Sequence, residues 1–381
     1  MEFGVFGQLF VPRFERDADP RAEHNRIMRN VDIAVAADQH NFKYVWAPEH
    51  HFLDEYSHMP GPEIYGSFVA ARTERIHIGS AIFNITAKVN HPARVAEKVA
   101  LMDHLFGGRF EFGTGRGSST TEVFGFDIPD LDLTKEMWEE SIREIPKMWK
   151  DGTYAHEGEF FRMPEREVFP KPNGWGHPAM WVAAGSPPTF GKAAEKGLGA
   201  FCFSNGTPDR LQPLVENYKG AIGHATPVGD YVNDNIMGVT NMLCMEDRNK
   251  AFEVASQMSM SYYSSLAFHW LDNIPKPKGL PEWPETIPEP TPEGVEELAA
   301  TGMAIIGDPD DCAKGVQRWV DCGFDQLTFS PTTNTLDTEV VIASMELFGA
   351  EVIPRFDKDP EHSTTRYRRQ AAEKVGQTYP V

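Results

Sequence analysis

No Cys-x-x-Cys pair occurs among the four cysteines of this chain, Cys202, Cys244, Cys312 and Cys322, and no two histidines stand four residues apart. Zinc-ribbon and helical zinc-hydrolase sites need those spacings, so neither is expected. Three of the cysteines lie in apolar or helical contexts, where a thiol behaves as a small buried hydrophobe, and the expected setting is a reduced, cytoplasmic one. Positive charge is scarce too: 36 Lys and Arg face 56 Asp and Glu, for a formal charge of −20. Such a surface offers no counter-charge to nucleic acid or to anionic membranes, and neither is expected as a partner. No apolar run is long enough to span a bilayer. The chain opens on a strand-like segment, Glu2 to Phe10, without the basic flank, long apolar stretch or small-residue cleavage site of an export signal.

What is present is a repeating alternation. Strand-like runs at Glu2 to Phe10, Tyr44 to Ala47, Ile76 to Ile82, Arg109 to Gly113, Met180 to Ala184, Ala200 to Phe203, Ile236 to Met245 and Gln326 to Phe329 are separated by helical patterns. Those helices fall at Arg21 to Asn41, Glu63 to Thr73, Val95 to Phe106, Lys135 to Trp149, Pro188 to Gly197, Asp209 to Ile222, Arg248 to Leu266 and Thr338 to Phe348. Strands alternating with helices build parallel sheets, and about eight repeats in 381 residues predict an α/β protein, a (β/α)8 TIM barrel. Residues 1–354 are expected to form one barrel domain, with insertions at about 151–177 and 273–293, and 355–381 a C-terminal extension packing on the barrel or on a second subunit. The second insertion, dense in Pro, Glu and Lys, is a candidate cover for the barrel mouth.

Two constellations carry chemistry. Trp46-Ala47-Pro48-Glu49-His50-His51-Phe52 ends a strand in a carboxylate and two imidazoles, at the place where barrel enzymes keep their reacting groups. Neighbouring side chains on extended backbone point opposite ways, so at most one of His50 and His51 faces a pocket. A satisfied structural pair is the plainer alternative. Next, Gly113-Thr114-Gly115-Arg116-Gly117-Ser118-Ser119 follows a strand with small residues and one forked cation, and Ala184-Gly185-Ser186-Pro187-Pro188-Thr189 leads from another strand into a helix N-terminus. Either is also an ordinary tight turn or N-cap, but two anion-friendly strand ends in one barrel suggest a phosphorylated cofactor.

Glu49-His50-His51-Phe52, Gly79-Ser80-Ala81-Ile82, His91-Pro92 with Arg94, Ala96 and Glu97, Gly108-Arg109-Phe110-Glu111-Phe112-Gly113, Arg116-Gly117, Ala193 to Leu198, Gly307-Asp308-Pro309 and Ile342 to Phe348 together resemble the bacterial luciferase-like family of flavin-dependent monooxygenases, its luciferase catalytic subunit included. The resemblance runs nearly end to end, sparing the insertions and the tail after Pro354. It implies a two-component enzyme: reduced FMN supplied by a separate flavin reductase, O2 as co-substrate, a flavin hydroperoxide, and a small hydrophobic substrate, an aldehyde or ketone. His50 would be the proton donor or acceptor, with Glu49 and His51 supporting it. Arg116 would grip the flavin phosphate, with Gly185, Ser186 and Thr189 at the second turn and Lys135 as a further basic contact. A non-proline cis peptide would fall at Ala81-Ile82 beneath the flavin ring, with Asn84 close by. Phe6, Phe83, Phe203 and Trp270 are apolar candidates for the substrate wall, with burial in the core as their ordinary alternative.

Light-emitting members carry a reactive cysteine just before the arginine; Gly115 stands here, so thiol-linked behaviour is not expected. The resemblance leaves open a deazaflavin-dependent oxidoreductase of the same superfamily and a non-catalytic flavin-binding subunit. It also leaves open a homodimer or a heterodimer with a paralogue. A metal site from Glu49, His50 and His51 is not expected, because adjacent ligands converge poorly on one ion.

Overall fold

A computed structural model describes residues 1–203, 206–272 and 274–379. Asn273, which opens the expected second insertion, and Pro380 and Val381, which end the expected extension, lie outside the described residues.

The eight expected strands are all present and close into one parallel barrel: Glu2–Phe6, Tyr44–Ala47, His77–Ser80, Phe110–Gly115, Ala179–Ala184, Gly199–Cys202, Ile236–Thr240 and Gln326–Phe329. Each pairs with its sequence neighbour, Glu2 opposite Gln326 joins first to last, and Ile78 opposite Phe110 closes the ring between third and fourth. Side chains alternate along each strand. In the second strand Tyr44 and Trp46 therefore point into the barrel, while Val45 and Ala47 join the layer under the outer helices.

Large aromatics fill the barrel axis because glycines stand across from them. Trp46, Trp181 and Phe201 have ring centroids 4.9 to 5.3 Å apart. A Cβ at Gly79 would lie 2.2 Å from the Trp46 ring, and one at Gly199 would lie 2.4 Å from Trp181. The interior is a solid packing of side chains, as the fold requires.

Below this plug, the N-terminal end of the barrel holds a buried polar cluster covered by the helix Ser363–Lys374 of the C-terminal extension. Ser363 donates its backbone N–H to Glu2 Oε1 at 2.9 Å, and the Thr364 hydroxyl donates to Glu111. His77 Nδ1 lies 2.7 Å from Glu111 Oε1, and the His362 ring stacks on His77 at 3.7 Å. Arg368 grips Asp103 with both terminal nitrogens, at 3.1 and 3.0 Å.

Several expectations need correction. The first strand stops at Phe6, and the run Ile236 to Met245 splits: Ile236–Thr240 stays in the barrel, while Met242–Cys244 pairs with Ile305–Gly307 outside it. The helix expected from Arg248 to Leu266 is two, Arg248–Ala255 and Met260–Trp270, parted at Ser259 with φ 56°. Two helices lie outside the expected set, Pro292–Ala300 and Pro309–Asp321; Asp308 caps the second by accepting from the backbone N–H groups of Asp310 and Asp311, and Pro309 opens it. The first insertion contains an antiparallel pair, Tyr154–Glu157 with Arg162–Arg166. Among the described residues no helix is long and apolar enough to cross a membrane.

Candidate active site

The C-terminal strand ends bring the two constellations to one mouth. Past the second strand, His50 and His51 each find a different carboxylate. His50 Nδ1 lies 3.1 Å from Glu122 Oε1, and the same oxygen accepts the backbone N–H of His51 at 3.0 Å. His51 Nε2 lies 3.1 Å from Glu49 Oε1. Glu49 was expected to support His50; the structure instead gives that place to Glu122, from the short helix Thr120–Gly125. The pairing spans 72 residues, so nothing local to His50 announces it. The acid six residues beyond Arg116 was the available signal.

Electrostatics sort the two acids. Burial opposes ionisation of Glu122, but the His50 charge, the His50 hydrogen bond and the N–H groups of His51 and Ser118 outweigh it and hold the carboxyl below its ordinary range. An ionised carboxylate only accepts, so Nδ1 is the donor of this pair, and a His50 ring that holds a single proton holds it there, leaving the lone pair on Nε2. For Glu49, burial wins over the hydrogen bonds from His51 and Asn84 and raises the pKa. Glu49 acts as a strut: Oε2 accepts from Asn84 N–H at 2.9 Å, and Oε1 accepts from Asn90 Nδ2 at 2.9 Å.

That strut fixes the segment after the third strand. Its Ala81-Ile82 peptide is cis, at the position the resemblance gave, and Ala81 and Ile82 join the inward-facing cluster with Phe6 and Phe203. Phe6 and Phe203 meet edge-to-face at 5.8 Å. Phe83 does not share that wall. Alternation turns it outward, where it is fully buried against Phe112 and beneath the Lys98 ammonium. Trp270 packs on the loop after the second strand, its indole N–H donating to Asp54 O at 3.1 Å.

On adjoining strand ends lie the anion-friendly turns. Arg116 donates through Nη1 to Leu131 O at 3.2 Å and to Thr134 Oγ1 at 2.7 Å; burial lowers its pKa and Asp132 opposes that. Lys135 is exposed and paired with Asp132 at 2.6 Å. A Cβ at Gly185 would meet nothing within 4 Å. Ser186 stands at the N-cap of Pro187–Glu195 without capping it, its hydroxyl 2.9 Å from that of Thr189. A guanidinium, two hydroxyls and a helix N-terminus are donors that suit a phosphate. The described residues contain no group of three or more His, Cys, Asp or Glu able to hold a metal ion.

Comparison with known proteins identifies the family. Residues 1–326 match the family of luciferase-like monooxygenases. The oxygenase component of the flavin-dependent trigonelline monooxygenase of Acinetobacter baylyi is 26% identical over 93% of this chain and 98% of its own length. An F420-dependent glucose-6-phosphate dehydrogenase of Mycobacterium avium is 25% identical over 78% and 86%. The oxygenating constituent of 3,6-diketocamphane monooxygenase from Pseudomonas putida, solved with FMN, superposes with a TM-score of 0.71 at 20% identity, covering 93% of this chain and 98% of that one. The family model matched over residues 1–326, with the barrel fold, makes this chain an enzyme of the luciferase-like, flavin-dependent monooxygenase family.

Proposed function

We propose that this chain is the oxygenase of a two-component system, taking reduced FMN from a separate reductase and using O2 to oxygenate a small hydrophobic aldehyde or ketone. The observation that carries the reading is His50 held through Nδ1 by an ionised Glu122, one strand end away from the inward Ala81-Ile82 segment. FMN, once bound and reduced, would supply the two electrons that activate oxygen. Arg116 and the Ser186 and Thr189 hydroxyls would hold its phosphate beside Gly185, with Lys135 adding charge at the rim; Asn84 and the Ala81-Ile82 segment would support its ring. Phe6 and Phe203 would line the floor, and Trp270 would anchor the covering helix.

His50 is placed to accept a proton at Nε2, and Glu122 then stabilises the imidazolium through Nδ1–H. His51 takes no proton in this scheme; it fixes Glu49, and Glu49 fixes the segment after the third strand. Aromatic walls keep water off the reacting atoms.

The partner in solution would be a second copy. Helices Pro62–Ala70 and Pro92–Leu105, joined by the Lys98–Glu63 pair at 2.8 Å, expose Ile64, Phe68, Leu101 and Leu105, of which Ile64 is 75% and Leu105 65% exposed. Four large apolar residues on two adjoining helices fit a self-complementary interface. Ile64→Asp with Leu105→Asp is expected to give a monomer by light scattering; an unchanged mass would place the interface elsewhere.

The functional test is anaerobic titration with reduced FMN and, separately, reduced F420, followed by isotope-labelled O2 with a panel of aldehydes and ketones. Tighter binding of reduced FMN and one labelled oxygen atom in the product are expected. Tighter binding of reduced F420 with no label in any product would replace the reading with a deazaflavin-dependent oxidoreductase, as the F420-dependent relatives would suggest. Binding of flavin without turnover would leave a non-catalytic flavin-binding subunit.

A further inference from the structure

Between Met242–Cys244 and Ile305–Gly307 the chain leaves the barrel for an excursion whose helix Met260–Trp270 rests on the loops after the first and second strands. The excursion reaches both groups that hold His50. On one side the His50 ring meets the Tyr56 ring edge-to-face, centroids 5.3 Å apart at 71°. Tyr56 in turn stacks on Tyr263 of the excursion helix at 5.2 Å and 14°. Behind Tyr263 stands Phe10, 5.4 Å away and edge-on. On the other side Asp272, just past the same helix, accepts the backbone N–H of Thr120 at 2.5 Å. Thr120 begins the short helix that carries Glu122, the carboxylate on His50 Nδ1.

We propose that Tyr56, Tyr263 and Asp272 are positioning residues that make the orientation of His50 depend on docking of this excursion, so that the imidazole is set for proton transfer only when the mouth is covered. The inference rests on the role of His50 proposed above. Either route alone is ordinary packing. Together they clamp one ring between a stacked pair and a carboxylate, and both clamps are anchored in one segment. With the segment docked, Nδ1–H is committed to Glu122; with it released, both clamps lose their backing and the ring can rotate and exchange tautomers.

The test is made without flavin or substrate, by long-range nitrogen–proton NMR on histidine-labelled protein, with His50 assigned from His50→Gln. The wild type is expected to show His50 as one Nδ1–H tautomer. Tyr263→Ala and the exposed Asp272→Ala are each expected to raise the Nε2–H fraction about tenfold, the size of coupling that touching residues show. Tyr263→Phe, which keeps the stacked ring, is expected to stay near the wild type. Protease cleavage within residues 274–293 reports release of the segment. His50 signals that remain those of the wild type in Tyr263→Ala and Asp272→Ala, while cleavage shows the segment released, would overturn the inference. If Tyr263→Ala does not fold, Asp272→Ala decides alone. The flavin titration fails or succeeds independently of these spectra, so loss of the oxygenase reading and loss of this coupling are told apart.

Discussion

At each end of the barrel a glutamate holds a histidine, and the two ends behave differently. At the mouth, His50 with Glu122 and His51 with Glu49 keep about one-seventh of each imidazole exposed, 14% and 16%. At the opposite end, His77 and Glu111 are 7% and 1% exposed beneath Ser363–Lys374, and each of their polar atoms faces Thr364, Thr365, Trp181 or the partner itself. Burial pushes Glu111 up to about 8 and His77 down to about 3, so both stand neutral near pH 7. Glu122 stays ionised. A carboxylate–imidazole pair is therefore no mark of a reacting centre by itself; access and a surviving charge make the difference.

The comparison can be broken most sharply at its two anchors. His50→Ala is expected to bind reduced FMN as before yet lose about a thousandfold in product formation, the scale of a lost general acid or base, with consumed oxygen returning as hydrogen peroxide. Coupled assays of product and peroxide would show it, and intact coupling would remove His50 from the chemistry. The opposite end should answer in stability alone. Arg368→Ala leaves Asp103 buried and unpaired, at a cost of about 3–5 kcal/mol in urea unfolding, with turnover per folded molecule unchanged.

Smaller effects sharpen the contrast. Glu122→Gln keeps the shape but no longer dictates the His50 proton, and a loss of about tenfold to a hundredfold in turnover is expected, with KM for the organic substrate little altered. A KM change of the same size would make Glu122 a binding residue instead. Glu111 should set a pH dependence. Its folded pKa of about 8 lies above its ordinary 4.5, so its stabilisation is complete below pH 4.5 and is lost as pH rises through 8, at up to about 1.4 kcal/mol per pH unit. His77 acts below its ordinary 6.5, in the opposite sense, which leaves pH 6.5 to 8 as the window that isolates Glu111. Thermal melts across that window should slope downward in the wild type and flatten in Glu111→Gln, whose amide keeps a donor for His77.

Much of the barrel was legible because alternation and length are local signals. Tyr44–Ala47 and Gln326–Phe329 have the bounds expected of them, and every barrel strand lies where a strand was expected. Less legible was whatever depends on distant partners. Met242–Cys244 continues an apolar run but pairs outside the barrel, a choice made by Ile305–Gly307 some 60 residues on. Phe83, an apolar residue expected to face the mouth, packs in the outer core instead. The histidine pair was visible at once, whereas its division between Glu122 and Glu49 needed the third dimension. The polar cluster under Ser363–Lys374 left no trace that could be recognised, since Glu2, His77, Glu111 and Thr364 are scattered over the whole chain.

The packing of Trp46, Trp181 and Phe201 against glycines has one further consequence. A barrel stoppered midway is a vessel with a single doorway, and a single doorway imposes a queue. Were two molecules to share this mouth one above the other, the deeper would have to enter first and leave last.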